Sequence, residues 1–241
     1  MKRLPGIARG GMFNPCRFTR CCDPYPLFAT PVTKHNGARS GFSSLRPLLT
    51  IATSNPVKVA EIEAMLGPLD VDVQRQPADL DVEETGETYE QNASLKASAA
   101  ALRTAGWALA DDSGLEVDAL NGAPGLFSAR YAQNNQAKIE KLLKEVGDTP
   151  YRSACFRSTM VISDPSGTCV ASAEGVCWGE LLTSPAFEGG CYEALLWVRE
   201  ARCTYGELNQ AQLTRLGSRG KAARALAPAL RHLLGLDSHR S

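Results

Sequence analysis

Residues 107–110 form a short apolar run that leads straight into Asp111 and Asp112, with Ser113 and Gly114 after them. The run reads as a buried strand, and the residues behind it predict that the strand end opens into a tight turn. Adjacent carboxylates at such a place are costly to bury unless something positive lies against them. The usual neutraliser is a hard divalent cation, most often Mg²⁺, which takes oxygen ligands and leaves sites for water and substrate phosphates. The plain alternative is an Asp-Asp-Ser-Gly β-turn on a solvated loop, because these residues cluster in turns routinely. Gly122, Pro124 and Gly125 then build a second turn, and residues 128–130 place a hydroxyl and a guanidinium close to it.

A chain of 241 residues with 44% hydrophobic content can bury one full core. Basic and acidic residues balance at 26 each, which gives no electrostatic reason to expect duplex nucleic acid or a membrane surface as partner. No apolar run approaches the roughly 20 residues needed to span a bilayer. The eight cysteines form no Cys-x-x-Cys pair, which favours free thiols in a reducing compartment over disulfides or zinc. His35, His232 and His239 all lie near the ends, so the body of the chain holds no imidazole for general-base work. Ser-His and Cys-His nucleophiles are thereby disfavoured, and a hydrolase of this composition needs a carboxylate with a metal for proton transfer.

Residues 1–47 carry eight Lys and Arg against the single acid Asp23, with scattered Gly, Pro and Ser and no apolar core of a secretory signal. Three readings stand: a disordered leader, an organelle transit peptide, or a start codon called too early. The folded domain is expected over 48–236. Residues 48–52 read as its first strand, and Thr53-Ser54-Asn55-Pro56 as a helix start with capping side chains and Pro at the first helical position. Val59, Ile62 and Leu66 give that helix one buried face, and Gly67-Pro68 stops it. A strand feeding a capped helix with Lys58 in its first turn offers backbone N–H groups and an ammonium to a phosphate, though a lone lysine is more often a solvated one.

Residues 71–74 read as a second strand, and 79–86 as an acidic loop containing Glu83 and Glu84, either charged surface or a further carboxylate for a metal. Thr88 caps a long alanine-rich helix through Asn92 and Lys96 to Gly106, with Gln91 as capping-box partner. Residues 136–146 form an amphipathic helix, 154–163 and 168–176 pair around a turn at 164–167, and 205–216 and 221–234 close the chain as helices.

Five of these motifs, taken in order, resemble the inosine triphosphate pyrophosphatases, also called XTP/dITP diphosphatases. They are Thr53-Ser54-Asn55-Pro56-Val57-Lys58, Glu83-Glu84-Thr85-Gly86, Asn92-Ala93-Ser94-Leu95-Lys96-Ala97, residues 110–115 and residues 122–131. The resemblance covers about 48–234. It implies an α/β fold with a mixed central β-sheet flanked by helices, an elongated two-lobed single domain with the active-site cleft between the lobes, and a homodimer. It also implies Mg²⁺-dependent hydrolysis of deaminated purine nucleoside triphosphates (ITP, dITP, XTP) to the monophosphate and pyrophosphate, a cytoplasmic task, or an organellar one if the leader is a transit peptide. Carried over residue by residue, the triphosphate loop falls on Thr53, Ser54, Asn55, Pro56, Val57 and Lys58, with Lys96 a further phosphate contact. The metal carboxylates fall on Glu83 and Asp112, Asp112 is also the proton acceptor, and Ser113 contacts substrate beside it.

The second half departs from the pattern. The family carries Gly-Gly-Phe-Gly-Tyr-Asp-Pro, which helps hold the nucleoside; here the segment reads Gly189-Gly190-Cys191-Tyr192-Glu193-Ala194, one residue shorter. Tyr192 and Glu193 remain the substrate contacts expected there. A family Lys aligns with Leu213, and Ser-His-Arg-Gly becomes Gly217-Ser218-Arg219-Gly220, leaving Arg219 as the surviving base-side residue, with Arg215 as a stand-in cation. Alternative readings are therefore a catalytically weak nucleotide-binding relative, or the same chemistry with altered base selectivity.

Overall fold

The computed structural model describes residues 46–53, 55–67 and 69–236, together with all their side chains except that of Val57. Ser54, and the leader expected over 1–47 apart from Arg46 and Pro47, lie outside the described residues. Those two already belong to the fold: the Pro47 carbonyl accepts the Asp72 N–H at 2.9 Å, and Arg46 pairs with Asp70 at 2.7 Å.

The strands form one mixed seven-stranded sheet in the order β2-β1-β3-β4-β5-β6-β7. β1 (Leu48–Ile51) lies parallel to both β2 (Asp72–Arg75) and β3 (Trp107–Val117). From β3 onward the ladder is antiparallel, through β4 (Ser153–Ser163), β5 (Cys169–Leu181), β6 (Leu196–Val198) and β7 (Cys203–Thr204). The parallel part is joined by helices: α1 (Pro56–Leu66) follows β1, and α2 (Tyr89–Thr104) precedes β3.

Strand alternation sorts the core onto two faces. Leu49, Ile51 and Leu109 turn to one face, where α1 brings Ile62, Met65 and Leu66 and α5 (Ser218–Leu233) brings Ala222, Ala223, Leu226 and Leu230. Ala108 and Ala110 turn to the other face, against Ala93, Ala97, Ala100 and Ala101 of α2. An all-alanine contact lets α2 lie close to the sheet, so its polar side chains on the same stripe reach β3. Beyond them, Leu115, Val117, Leu181 and Leu196 pack with Ile139, Leu142 and Val146 of α3 (Asn135–Val146). Among the described residues no helix is long and apolar enough to cross a membrane.

Three expectations are corrected. The turn expected at Asp111-Asp112-Ser113-Gly114 is the middle of β3, each residue facing a partner on β4: Met160, Thr159, Ser158 and Arg157 in turn. Turn preference in such residues is a local effect, and a continuous backbone ladder outweighs it. The helix expected over 205–216 is a 3₁₀ turn at Tyr205–Glu207 followed by α4 (Gln210–Leu216), each started by its own capping box, and α5 begins at Ser218, not at Lys221. Finally, Gln91 accepts the Glu87 N–H at 2.6 Å, so Thr88 caps α2 through the Gln91 N–H without the reciprocal bond.

Gly114 shows why the middle of β3 tolerates no larger residue. A Cβ there would lie 2.3 Å from the Gly125 carbonyl oxygen, 2.6 Å from the Tyr89 hydroxyl and 2.8 Å from Ser128 Oγ. The Ser128 hydroxyl is itself fixed, accepting the Leu115 N–H at 2.9 Å and donating to the Gly125 carbonyl at 2.6 Å. Gly114→Ala is expected to lower stability by about 1–3 kcal/mol, the range for overpacking a tight site. Urea denaturation checks this, and an unchanged midpoint would show that the loop at Gly125 moves aside freely.

Candidate active site

β1 ends at Ile51 while β3 runs on past it, so an opening forms beside β3 at the carboxyl end of β1, the usual place for ligands in a sheet of this kind. The 53–58 loop edges it. Thr53 Oγ1 accepts the Asn55 N–H at 3.3 Å, and the Asn55 carbonyl accepts the Val59 N–H at 3.2 Å, closing the first turn of α1 behind Pro56. A cavity of about 230 Å³ lies here, with Thr53, Lys58, Gln76, Glu84, Lys96 and Asp111 in its wall. A larger groove of about 1020 Å³ lies between Tyr151, Trp178 and Trp197, but none of the 53–58 loop, Asp111, Asp112 or Lys96 lines it. Size alone would favour the groove; the gathered charges favour the smaller cavity.

On the α2 face, Lys96 is the hub. Its ammonium donates to Asp112 Oδ1 at 2.9 Å, to Glu84 Oε1 at 3.0 Å and to the Asp111 carbonyl at 2.9 Å. Asn92, one helical turn before it, donates to Asp112 Oδ2 at 3.3 Å and accepts the Gly86 N–H at 2.8 Å, which ties the acidic loop to the carboxylate. Arg130 reaches the other oxygen of Glu84 at 3.4 Å. Burial pushes the Asp112 carboxyl above its ordinary pKa and Glu84 adds to this, while Lys96 and Asn92 pull the other way. For Glu84, burial opposes the charge, yet Lys96 and Arg130 outweigh it and hold the pKa below normal. Burial likewise opposes the Lys96 ammonium, and Asp112 with Glu84 more than compensates.

Asp111 points to the opposite face and has a cation of its own. Arg219, near the start of α5, donates through Nε to Asp111 Oδ2 at 3.0 Å, and its Nη2 is paired with the same oxygen at 3.0 Å. It also reaches Ser113 Oγ at 3.2 Å and Glu61 of α1 at 3.2 Å. Burial opposes the Asp111 charge, but Arg219 and then Lys58 hold its pKa below the usual range. Asp111 Oδ1 is buried and has no hydrogen-bond partner among the described residues.

Of the expected site residues, the structure brings Thr53, Lys58 and Lys96 to the cavity, with Asp112 held on Lys96 and Ser113 held on Arg219. Glu83 is exposed, and its neighbour Glu84 is the carboxylate that meets Lys96. Tyr192 is buried and donates its hydroxyl to the Ser128 carbonyl at 3.3 Å, while Glu193 accepts the Cys191 N–H at 2.9 Å. Neither lines the cavity. Leu213 packs into the core, Ser218 is buried with its hydroxyl 2.8 Å from that of Ser158, and Arg215 is exposed. A phenylalanine lies two residues upstream of the segment shortened at 189–194. The Phe187 ring fits between Gly190 and Gly206, where an added Cβ would meet it at 2.6 Å and 2.5 Å.

Sequence reasoning read Glu84 as loop charge or a further metal carboxylate, with the resemblance choosing Glu83, and it gave the Asn92 side chain no role of its own. Asn92 carries a usable signal: with Lys96 it interrupts, at helical spacing, a stripe that is otherwise alanine. Among the described residues no three His, Cys, Asp or Glu side chains are gathered as a metal site. Asp112 and Glu84 still meet on one ammonium, and Mg²⁺ is usually bound by one or two carboxylates, with water and substrate phosphates completing its shell. Their hard oxygen donors fit that ion.

The profile of the Ham1 family matches residues 49–229. A protein of Nostoc sp. called dITP/XTP pyrophosphatase is 43% identical over 188 residues, 78% of this chain and 96% of the relative. One from Synechococcus sp. with the same name is 44% identical over 191 residues, 79% and 93% of the two chains. Among solved structures, a HAM1 protein from Coxiella burnetii aligns with a TM-score of 0.70 at 33% identity, covering 77% of this chain and 99% of the other. The Staphylococcus aureus Ham1 protein aligns with a TM-score of 0.69 at 35% identity and the same coverage.

The Asp111–Arg219 pair sits almost wholly out of solvent, at 3% and 17% side-chain exposure. Arg219→Ala strands the carboxylate, and breaking a buried pair from one side costs about 3–5 kcal/mol. Chemical denaturation is expected to show that loss, and adding Asp111→Asn to recover much of it. A loss below about 1 kcal/mol, the level of surface pairs, would mean that water reaches Asp111.

Proposed function

The chain belongs to the Ham1 family, and on that premise we propose that it hydrolyses deaminated purine nucleoside triphosphates, dITP, ITP and XTP, to the monophosphate and pyrophosphate. The observation that carries the reading is Asp112: a carboxylate lifted in basicity by burial and oriented by Asn92 and by Lys96, which itself lines a cavity that also receives Lys58.

In the proposed reaction, water attacks the α-phosphorus and gives its proton to Asp112. The new P–O bond forms as the bond to the β-phosphate oxygen breaks, and pyrophosphate leaves. Lys58 and the N-terminus of α1 hold the triphosphate, and Lys96 adds a second ammonium. Ser113, fixed by Arg219, faces the nucleotide from the other side of β3. Asp112 with Glu84 would hold Mg²⁺, which supplies charge neutralisation on the phosphoryl oxygens. We extend the proposal to a homodimer acting on the cell's nucleotide pool, in the cytoplasm or in an organelle. Base selectivity rests on fewer polar groups than the family pattern provides, since Leu213 and Ser218 are turned inward; a narrower preference for dITP over dGTP is the second reading.

Pyrophosphate release from dITP and XTP with Mg²⁺, lost on chelation, tests the proposal directly. Asp112→Asn is expected to reduce turnover by about 10²–10⁴-fold, the usual contribution of a general base. A variant that keeps more than about a tenth of the rate removes Asp112 from that role. Silence of the wild-type chain on every purine triphosphate would instead favour the binding-only relative.

A second comparison separates the two neighbouring glutamates. Glu84→Gln is expected to raise the Mg²⁺ concentration needed for half-maximal activity by about tenfold or more, as losing a charge-assisted contact does. Glu83→Gln, altering an exposed side chain, is expected to leave it within about twofold. The reverse pattern would return the metal role to Glu83.

A further inference from the structure

Lys96 contributes its three ammonium protons to three acceptors, at 2.9–3.0 Å from each: Asp112 Oδ1, Glu84 Oε1 and the Asp111 carbonyl. Two of these are the oxygens that a divalent cation would need. An ion bound to Asp112 Oδ1 and Glu84 Oε1 would share both ligands with a positive charge in contact with them, in a place where Lys96 has only 16% exposure and Asp112 12%. Two like charges so close, with little water between them, repel strongly. Arg130 is a weaker rival. It lies farther off, at 3.4 Å, pairs with Glu84 but not with Asp112, and is half exposed.

Lys96 also has somewhere else to go. It lines the same cavity as Lys58, and its four-carbon stem lets the ammonium turn from the carboxylates to an anion in that space. We infer that Lys96 is a built-in competitor for the metal: it neutralises Asp112 and Glu84 until the triphosphate draws its ammonium away. This rests on the reading of Asp112 and Glu84 as metal carboxylates. The metal alone then binds weakly, and nucleotide and metal each strengthen the other's binding, because either one is favoured once Lys96 has turned.

The test is binding by the full chain, with no turnover. Mn²⁺ alone is titrated and followed by the electron paramagnetic resonance signal of the free ion. Binding of dITP is measured separately by equilibrium dialysis in the presence of a chelator. Lys96→Met and Lys96→Gln are expected to bind Mn²⁺ at least roughly tenfold more tightly than wild type, and dITP at least roughly tenfold more weakly. Lys96→Arg, which keeps the charge, is expected to bind Mn²⁺ as weakly as wild type. A lysine with a merely structural role would weaken both ligands together, so the opposite signs are the mark of competition.

Mn²⁺ affinity that is unchanged or weaker in both neutral variants, while Asp112→Asn abolishes Mn²⁺ binding, would overturn the inference alone. Mn²⁺ binding that ignores Asp112→Asn in the wild-type and Lys96→Met backgrounds would overturn it together with the metal assignment. The proposed activity is judged apart, by pyrophosphate release from the wild-type chain.

Discussion

Two carboxylates on successive residues, both largely out of solvent, would repel each other and lose their hydration if they pointed into one space. Strand geometry removes that conflict. Because Asp111 and Asp112 sit inside β3, alternation turns them to opposite faces, and each face supplies its own cation: Lys96 from α2 and Arg219 from α5. Much of the surrounding structure follows. The alanine stripe of α2 brings Lys96 and Asn92 within reach, the early start of α5 places Arg219, and the short β1 leaves the edge of β3 open beside both. A turn at the same four residues, as the sequence suggests, would put the two carboxylates in water and leave nothing to organise.

The elements of the parallel half are legible in the chain because their signals are local. Pro56, Thr88 and Gly67 punctuate helices through backbone geometry that needs no distant partner. What stayed hidden depends on contacts far apart in sequence. The Asp-Asp-Ser-Gly segment has strong turn chemistry, and only its pairing with β4, more than 40 residues on, makes it a strand. The choice between Glu83 and Glu84 follows the same logic: adjacent residues on an irregular loop carry no periodicity to say which faces inward. Lys96 pairs with Glu84, a contact across 12 residues that the pattern of the loop does not announce.

The segment expected to hold the nucleoside is less legible still, for a different reason. Residues 189–194 and the 203–207 stretch lie in turns, 3₁₀ segments and a two-residue strand, where neither period applies. Deleting one residue at 189–194 looks, in sequence, like the loss of an aromatic contact. In the fold, Phe187 arrives from upstream and occupies a slot that exists only because Gly190 and Gly206 lack side chains. Tyr205, next to Gly206, packs its ring against that of Phe156, with centroids 4.6 Å apart and planes tilted by 53°. The region is thus closely packed around Phe187, and a side chain added at Gly190 or Gly206 would collide with that ring.

The two cations also differ in kind, and the difference fits the two faces. Arg219 spreads a rigid fork over Asp111, Ser113 and Glu61, which are contributed by β3 and α1, so its position is fixed by three partners on two elements. A planar guanidinium that is always charged suits a permanent tie between elements. Lys96 makes its contacts with a compact ammonium at the end of a flexible stem, and two of its acceptors, Glu84 and the Asp111 carbonyl, belong to residues of the cavity wall. A lysine can leave such a cluster at the cost of three hydrogen bonds that a phosphate can replace, whereas arginine would have to withdraw its whole fork. The Arg219 face has the residue suited to staying, and the Lys96 face has the one suited to moving.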